Sequence, residues 1–245
     1  MSETMRLDKL LSNLGYGTRK EIKQMAKQGM ILVDGKVAKD ASLHVDPVLS
    51  VVSVNGKVLK YRKYIYLMLN KPAGVISATW DPSHRTVIDI LPEEYRCFDL
   101  FPVGRLDIDT EGLLLLTNDG RMAHFLLSPK RHVPKKYYVL VEGYVDKQDV
   151  IMFNEGIVLD DGYKTLPAEL EIIKQSAYSE AYVTIHEGKF HQVKRMFESC
   201  GKKVRYLKRL QMGTLKLDEA LVPGQARELT CEEIKNLEEL YASIV

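Results

Sequence analysis

The 245-residue sequence contains only three cysteines, a single tryptophan and no long apolar run. Cys97, Cys200 and Cys231 are widely spaced and odd in number, which argues against a disulfide framework or a zinc site. Such cysteine use is typical of the reducing cytoplasm, where we expect the protein to act. No stretch approaches the roughly 18 apolar residues of a membrane span, and the polar N-terminus lacks a signal-peptide core. We therefore expect no membrane association and no bound metal.

The chain also has little net charge, +2 at neutral pH, but its charges are unevenly distributed. Residues 1–63 hold twelve Lys or Arg against six Asp or Glu, and residues 187–216 hold nine against two. The hydrophobic and charged fractions, 45% and 28%, are ordinary for a globular protein with room for one large or two smaller domains. The basic N-terminal part therefore predicts an electrostatic arm that binds a polyanion.

The N-terminal residues have the pattern of two short helices followed by a hairpin. Gly15 and Gly17 separate the helices within residues 5–29, and Thr18 with Glu21 has capping-box spacing. The Asp-Gly pair at 34–35, between apolar flanks, predicts the hairpin turn. This order favours a compact RNA-binding unit. The basic side chains that we expect to contact RNA are Arg6, Lys9, Arg19, Lys20 and Lys23.

The rest of the chain mixes strand and helix patterns without regular β-α-β alternation, which predicts an α+β fold on an antiparallel sheet. A polar, basic stretch over residues 57–63 predicts the linker, so we expect a small domain over residues 1–60 and a larger one over 61–245. Strands are predicted at 64–69, 113–117, 137–141, 168–173 and 181–186. Helices are predicted at 120–127, 147–154 and 190–200, and a last helix begins at a capping box of Thr230 and Glu233.

The segment GRLDIDTEGLLLLTNDG, residues 104–120, is the most informative in the chain. Asp107 directly follows Arg105 and Leu106 and precedes a buried run of four leucines, so a stiff strand would hold its carboxylate near a guanidinium. An Asp in such a loop is often only a turn former. A calcium loop is excluded because its twelfth position requires a bidentate Glu and here holds Asn118. Asp107 is therefore a candidate catalytic carboxylate.

Three further segments carry candidate site residues. In LNKPAG, residues 69–74, Pro72 ends a strand and leaves Lys71 at its tip. In KKYYVLVEG, residues 135–143, strand alternation places Tyr137 and Tyr138 on opposite faces, so one of them can belong to a site.

The last of these segments is EGKFHQVKRMF, residues 187–197, which has the periodicity of an amphipathic helix. The apolar face predicted by this spacing consists of Phe190, Val193, Met196 and Phe197. The opposite face consists of His191, Lys194, Arg195 and Glu198. A basic face next to a catalytic pocket would suit phosphate contacts.

These four segments, in their order along the chain, resemble the motifs of the RNA pseudouridine synthases. The opening MRLDKLL…RKEI…ILVDGKVA resembles the small RNA-binding domain named after ribosomal protein S-four, over roughly residues 5–50. DPSHRTV at 81–87 and SPKRHVPKKY at 128–137 extend the resemblance to the RsuA-type branch, so that it covers nearly the whole chain. Lys136 stands where this branch more usually has Thr.

The resemblance implies that the chain isomerises a uridine of ribosomal RNA to pseudouridine, with Asp107 as the catalytic residue. It implies that Lys194 pairs with Asp107, that Tyr137 stacks on the target base, and that Arg105 pairs with the acid or contacts the displaced RNA strand. Lys71 is expected to bind substrate and Arg195 to bind RNA. The favoured target is 16S rRNA or a small-subunit assembly intermediate, with 23S rRNA as the alternative.

The isomerisation neither oxidises nor adds anything, so no cofactor is expected. The carboxylate could attack the sugar or remove one of its protons, and the sequence leaves both routes open. A monomer is the default expectation.

Other functions remain to be weighed against this one. The N-terminal domain alone fits a non-catalytic ribosome assembly factor equally well, and only the joint presence of Asp107, Arg105, Tyr137 and Lys194 favours an enzyme. A hydrolase with Asp107 and His191 as an acid–base pair is a further alternative. Nucleophilic catalysis by Cys200 is disfavoured because the sequence indicates no activating partner for it.

Overall fold

The computed structural model describes residues 4–59, 62–95 and 98–244 and divides the chain into two compact units. The first unit extends to Ile65 and takes in Pro92–Leu100, which the sequence had assigned to the second domain. The second unit comprises Tyr66–Leu91 and the chain from Phe101 onward. The predicted boundary between residues 60 and 61, and Cys97, lie outside the described residues.

The first unit joins two helices to short antiparallel strands around an apolar core. Leu10, Ile22 and Ile31, from two helices and a strand, are fully or almost fully buried in this core. The elements are β1 (Met5–Arg6), α1 (Leu7–Asn13), α2 (Arg19–Lys27), β2 (Ile31–Val33), β3 (Lys36–Val37), β4 (His44–Val45), β5 (Val52–Val54) and β6 (Lys57–Val58). β1 pairs with β4, and the other four strands form a sheet in the order β3-β2-β5-β6.

Local sequence rules account for this unit well. Thr18 and Glu21 form the predicted capping box at the start of α2, and Asp34-Gly35 makes the predicted hairpin turn with positive φ at both residues. A second hairpin was not predicted: Asn55-Gly56 also has positive φ and joins β5 to β6. β6 therefore occupies the start of the stretch that the sequence had suggested as a linker.

In its described residues the second unit is built on a nine-stranded sheet with four α-helices. Its strands are β7 (Tyr66–Lys71), β8 (Phe101–Pro102), β9 (Glu111–Thr117), β10 (Lys135–Glu142), β11 (Glu169–Lys174), β12 (Tyr178–Ile185), β13 (Lys203–Met212), β14 (Leu215–Lys216) and β15 (Ala226–Glu228). The helices are α3 (Gly120–Leu127), α4 (Lys147–Glu155), α5 (Gln192–Ser199) and α6 (Cys231–Ile244). The main path of the sheet is β11-β12-β10-β13-β9-β7-β15, with β8 on β9 and β14 on β13.

This architecture confirms the predicted α+β class, with two differences in detail. β9 and β13 pair in parallel, whereas the other described pairs are antiparallel. The ten-residue β13 was missed, because the charged residues in KVRYLKRLQM obscure its alternation. Gly112 makes the parallel junction possible: its φ is +99°, and a Cβ there would clash with the backbone oxygen of Arg209.

The last helix begins as predicted, since Thr230 and Glu233 exchange capping hydrogen bonds. Leu237, near the centre of α6, is buried. The side chain of Ile244 lies outside the part of the chain that the structure describes. Within the described residues, no helix is both long and apolar enough to cross a bilayer.

Candidate active site

The Asp107 loop is fixed in place by the segment that follows β7. Ser77 Oγ donates to the Leu106 carbonyl and accepts from the Leu106 amide, both at 3.0 Å. The Gly74 amide donates to the Ile108 carbonyl at 2.7 Å. Since both anchors adjoin Asp107, the carboxylate projects from a loop that is held on either side.

Lys71 also supports the Asp107 loop, through hydrogen bonds to its backbone. This role corrects the prediction that Lys71 binds substrate. Its side chain is fully buried, and Nζ donates to the carbonyls of Pro72, Asp107 and Thr110 at 3.0, 3.1 and 2.9 Å. Burial lowers the pKa of Lys71 to about 8, although nearby carboxylates oppose the shift. The ammonium thus holds the backbone of the Asp107 loop and does not line the pocket.

Lys194 pairs with Asp107, as the family resemblance implied. Its Nζ lies 3.2 Å from Asp107 Oδ2 and 2.6 Å from Asp109 Oδ1. Burial opposes the charge of Lys194, but the hydrogen bonds to Asp109 and Asp107 outweigh it and raise the Lys194 pKa. His191 approaches the other oxygen of Asp107, with Nε2 3.5 Å from Oδ1. Asp109 therefore shares the Lys194 ammonium with Asp107.

Arg105 does not form the predicted pair with the acid. In the part of the chain that the structure describes, the ion-pair partners of Asp107 are Lys194 and His191. Arg105 is exposed at the rim of the pocket. This position leaves open the alternative expectation that it contacts RNA.

Asp107 opens into a pocket of about 270 Å³. Tyr137 lines this pocket and is 7% exposed, while Tyr138 faces the opposite side, where its hydroxyl donates to Glu180 at 2.8 Å. The parity argument from the sequence is therefore confirmed. Tyr138 has a packing role, with its ring against those of Tyr182 and Tyr206.

The pocket also contains buried charged side chains that the sequence analysis missed. Lys135 and Arg209 are 7% and 2% exposed, and Glu187 is 5% exposed. The Glu187 carboxylate accepts from the Tyr163 hydroxyl at 2.6 Å and from Gln192 Nε2 at 3.0 Å. Lys135 could have been found by the parity rule applied to Tyr137, because residues two apart on a strand share a face.

Helix α5 carries Lys194 to Asp107, but the helix begins later than predicted. His191 has φ +47° and precedes the helix, so Phe190 lies outside it. Phe190 is 72% exposed and stacks on the His191 ring, with centroids 3.8 Å apart. Its prediction as part of the apolar face was therefore wrong, whereas Val193, Met196 and Phe197 are buried as expected.

The predicted RNA-contacting residues are differently placed. Arg195 forms ion pairs with Asp160 and Asp161, so its guanidinium already has carboxylate partners. Arg6 likewise pairs with the buried Asp8, through two hydrogen bonds of 3.1 and 2.7 Å. The remaining members of the predicted set are exposed on the first unit; they are Lys9, Arg19, Lys20 and Lys23.

No group of three or more His, Cys, Asp or Glu side chains among the described residues could hold a metal ion. Cys200 is partly buried, and burial raises the pKa of its thiol. A raised thiol pKa is the opposite of what a cysteine nucleophile needs.

Comparisons with known proteins agree with this picture. The model of the family described as RNA pseudouridylate synthase matches residues 65–199, and that of the S4 domain matches residues 5–47. A crystal structure of a pseudouridylate synthase superposes with a TM-score of 0.66 at 34% identity, covering 95% of this chain and 99% of that one.

Several relatives match over nearly their whole lengths. The chain is 54% identical to "Uncharacterized RNA pseudouridine synthase YtzG" of Bacillus subtilis, over 97% of this chain and 100% of the relative. It is 43% identical to "Ribosomal small subunit pseudouridine synthase A" of Pseudomonas aeruginosa, over 94% and 99%. It is 38% identical to "Ribosomal large subunit pseudouridine synthase B" of B. subtilis, over 96% of each. With the family model spanning more than half of its length, this chain belongs to the RNA pseudouridine synthase family and is an enzyme of that class.

Proposed function

We propose that this chain converts a uridine of ribosomal RNA to pseudouridine and that Asp107 is its catalytic carboxylate. The observation that carries the proposal is that Asp107 and Tyr137, from distant segments, line one pocket, and that Lys194 from a third segment pairs with the Asp107 carboxylate. A single turn-forming Asp would need neither a buried ammonium beneath its loop nor a cation beside its carboxylate.

The reaction itself explains why these groups are needed. The bond between C1′ of ribose and N1 of uracil breaks, the base turns over, and C1′ joins C5, which then loses its proton. Asp107 either attacks the sugar or removes one of its protons. Both routes require an anionic carboxylate beside the ribose, and Lys194 and His191 are the groups that hold it there.

The enclosed pocket requires the target base to leave its stack, since a base within a helix cannot reach Asp107. The buried ring of Tyr137 offers a surface on which a flipped base could stack. Arg105, exposed at the rim, is placed to contact the RNA strand from which the base has been removed.

The favoured target is 16S rRNA, free or in a small-subunit assembly intermediate. A relative at 43% identity bears the small-subunit name, whereas a relative with the large-subunit name is 38% identical. The second name makes 23S rRNA the second candidate. Either substrate would have the enzyme act in the cytoplasm, with the S4 domain as an RNA anchor, and we propose that it acts as a monomer.

Tritium release from rRNA labelled at uridine C5 tests both parts of the proposal. Transcripts of 16S and 23S rRNA and immature ribosomal particles should be offered to the wild type, Asp107→Asn and the exposed control Asp99→Asn. We expect release by the wild type and the control, and none by Asp107→Asn, with RNA affinity preserved. Turnover by Asp107→Asn would refute the catalytic assignment, and release from 23S rRNA alone would move the target to the large subunit.

A further inference from the structure

Two buried polar atoms in the pocket wall lack a hydrogen-bond partner among the described protein atoms: Thr110 Oγ1 and Arg209 Nη2. Only one other described buried side-chain atom, Asn70 Oδ1, shares this property. Arg209 uses Nε to donate to the Leu113 carbonyl at 2.7 Å. Because buried polar groups are nearly always satisfied, unpaired ones concentrated in a pocket point to a polar ligand.

Lys135 adds a second buried cation to the same pocket wall. Its Nζ donates to the Val133 carbonyl at 2.9 Å, which uses one of its three N–H groups. Burial first and then the neighbouring Arg209 lower the pKa of Lys135 to about 8, and Glu187 only partly opposes them. The Glu187 carboxylate already accepts hydrogen bonds from Tyr163, Gln192 and a backbone amide, so the site has unused donors and surplus positive charge.

The sheet places these donors on the face that carries Tyr137. Arg209 on β13 is the register partner of Tyr137 on β10, and Lys135 lies two residues before Tyr137. We call Arg209, Lys135 and Thr110 the pocket floor. The phosphates of an RNA strand remain attached to the neighbouring nucleotides, so only the base of a flipped nucleotide can reach deeply buried groups.

The geometry of uracil then indicates which atom of the base would reach the donors of the pocket floor. C4 lies opposite N1 in the six-membered ring, so O4 is the base atom farthest from the sugar. When the base turns about its N3–C6 axis, C5 takes the place of N1 and O2 takes the place of O4. A donor that contacts O4 in the substrate therefore meets O2 in the product, and the same floor serves both.

We propose that the pocket floor recognises the target base. Arg209 and Lys135 donate hydrogen bonds to uracil O4, and the Thr110 hydroxyl forms a hydrogen bond with the same uracil ring. The floor selects uridine over cytidine, whose position 4 carries an amino donor that would face two cationic donors. This inference rests on the proposed function of the site and adds the residues that determine its base specificity.

Protein variants provide the first test. Arg209→Gln and Lys135→Gln should each lower kcat/KM on labelled rRNA by about 10- to 100-fold, the range for a lost hydrogen bond to a charged group. Lys208→Gln and Lys136→Gln, their neighbours on the opposite face of the same strands, should stay within about twofold of the wild type, the effect of a surface change. Thr110→Val preserves the side-chain shape and removes an unpaired hydroxyl, so it should keep thermal stability while lowering kcat/KM by about three- to tenfold.

Substrate variants provide the second test, and its first comparison uses only the wild-type protein. Once the modified position is mapped, RNA fragments with uridine or 4-thiouridine there are compared by chromatography of the digested nucleosides. We expect the wild type to convert the 4-thiouridine fragment about tenfold more slowly, because sulfur is the weaker acceptor, and Arg209→Gln to lose most of this difference. Fragments with cytidine at the position should compete poorly with uridine fragments for the wild type.

The outcomes separate this inference from the proposed function. No release from any rRNA by the wild type contradicts the proposed function itself. Normal wild-type release with equal rates on both fragments, or floor variants that match their controls, overturns only the base-recognition assignment. If inorganic phosphate inhibits competitively in an Arg209-dependent manner without any 4-thiouridine effect, the floor binds phosphate and the proposal is wrong. If Arg209→Gln does not fold, Thr110→Val and the wild-type fragment comparison decide.

Discussion

The ammonium of Lys194 lies 3.2 Å from Oδ2 of Asp107, although 86 positions separate the two residues in the sequence. Asp107 is fixed by a loop before β9, and Lys194 projects from the first turn of α5. The same ammonium is 2.6 Å from Asp109 Oδ1. One lysine therefore orients the loop that carries the carboxylate and supplies the charge beside it.

Replacing this lysine should impair turnover more than stability. Because Lys194→Met removes a charge-assisted hydrogen bond from Asp107, we expect kcat to fall by about 10- to 100-fold. Lys194→Arg keeps the cation and should retain most activity. Tritium release under saturating RNA measures both variants, with Lys235→Met on the exposed face of α6 as the control. Equal losses in the Met and Arg variants would show that charge is not what Lys194 supplies.

Lys71→Met should destabilise the second unit and slow the reaction together. The substitution leaves several carbonyls of the Asp107 loop without their donor, and each unsatisfied buried group costs about 1–3 kcal/mol. Urea unfolding gives the loss of stability, and kcat at 25 °C gives the effect on the loop. A fully active and equally stable Lys71→Met would contradict the supporting role of this ammonium.

The two buried lysines predict how stability depends on pH. Lys71 and Lys135 lose their protons near pH 8 when folded, against an ordinary value of 10.5. The unfolded chain therefore binds more protons between about pH 8 and 10.5, and these two groups make the unfolding free energy rise with pH across that window. Urea titrations at several pH values should give a smaller slope for Lys135→Met than for the wild type, while the exposed-face control Lys136→Met keeps the wild-type slope. A wild-type slope in Lys135→Met would show that its folded pKa is ordinary.

Gly112→Ala should disrupt the parallel junction between β9 and β13. The residue has φ +99°, and an added Cβ would clash with the Arg209 backbone oxygen, so the cost exceeds about 1 kcal/mol. Gly120→Ala is the matched control, because its Cβ would have no atom within 4 Å and it begins a helix. Chemical denaturation should show a loss for the first variant and little change or a gain for the second. The reverse order would mean that the close approach at Gly112 is not required.

The exposed cations of α2 should contribute to RNA affinity mainly through phosphates. Replacing Arg19, Lys20 or Lys23 by Ala should weaken binding uniformly across RNA sequences and reduce the slope of log affinity against log salt by up to about 1 for each substitution. Filter binding at several salt concentrations measures this slope, with Lys235→Ala as the control. If the slope does not change, the RNA anchor lies elsewhere on the protein.

Short-range sequence rules accounted for much of the fold. The Thr18 capping box, the Asp34-Gly35 turn and the capping box before α6 depend on residues within four positions of each other. The alternation of Tyr137 and Tyr138 likewise depends only on strand geometry. These elements appear where they were predicted because no distant partner is needed to define them.

The errors arose where distant segments decide the outcome. Lys71 looks like a strand-end residue in sequence, yet it is buried by a loop more than thirty positions away. One of the two expectations for Arg105 was an ion pair with Asp107, but among the described residues the partners of Asp107 are Lys194 of α5 and His191 just before that helix. The charged residues of β13 obscured its alternation, so the strand was not predicted. Its Arg209 is buried in the folded sheet, where β13 lies between β10 and β9.

The sequence by itself determined the class of elements, the identity of the candidate carboxylate and the family resemblance, because these depend on residue order and local periodicity. The tertiary structure alone decided which cations face that carboxylate, which lysine supports its loop and which donors line the pocket floor. Those contacts join residues tens of positions apart, and their burial depends on strand pairings that no local pattern specifies.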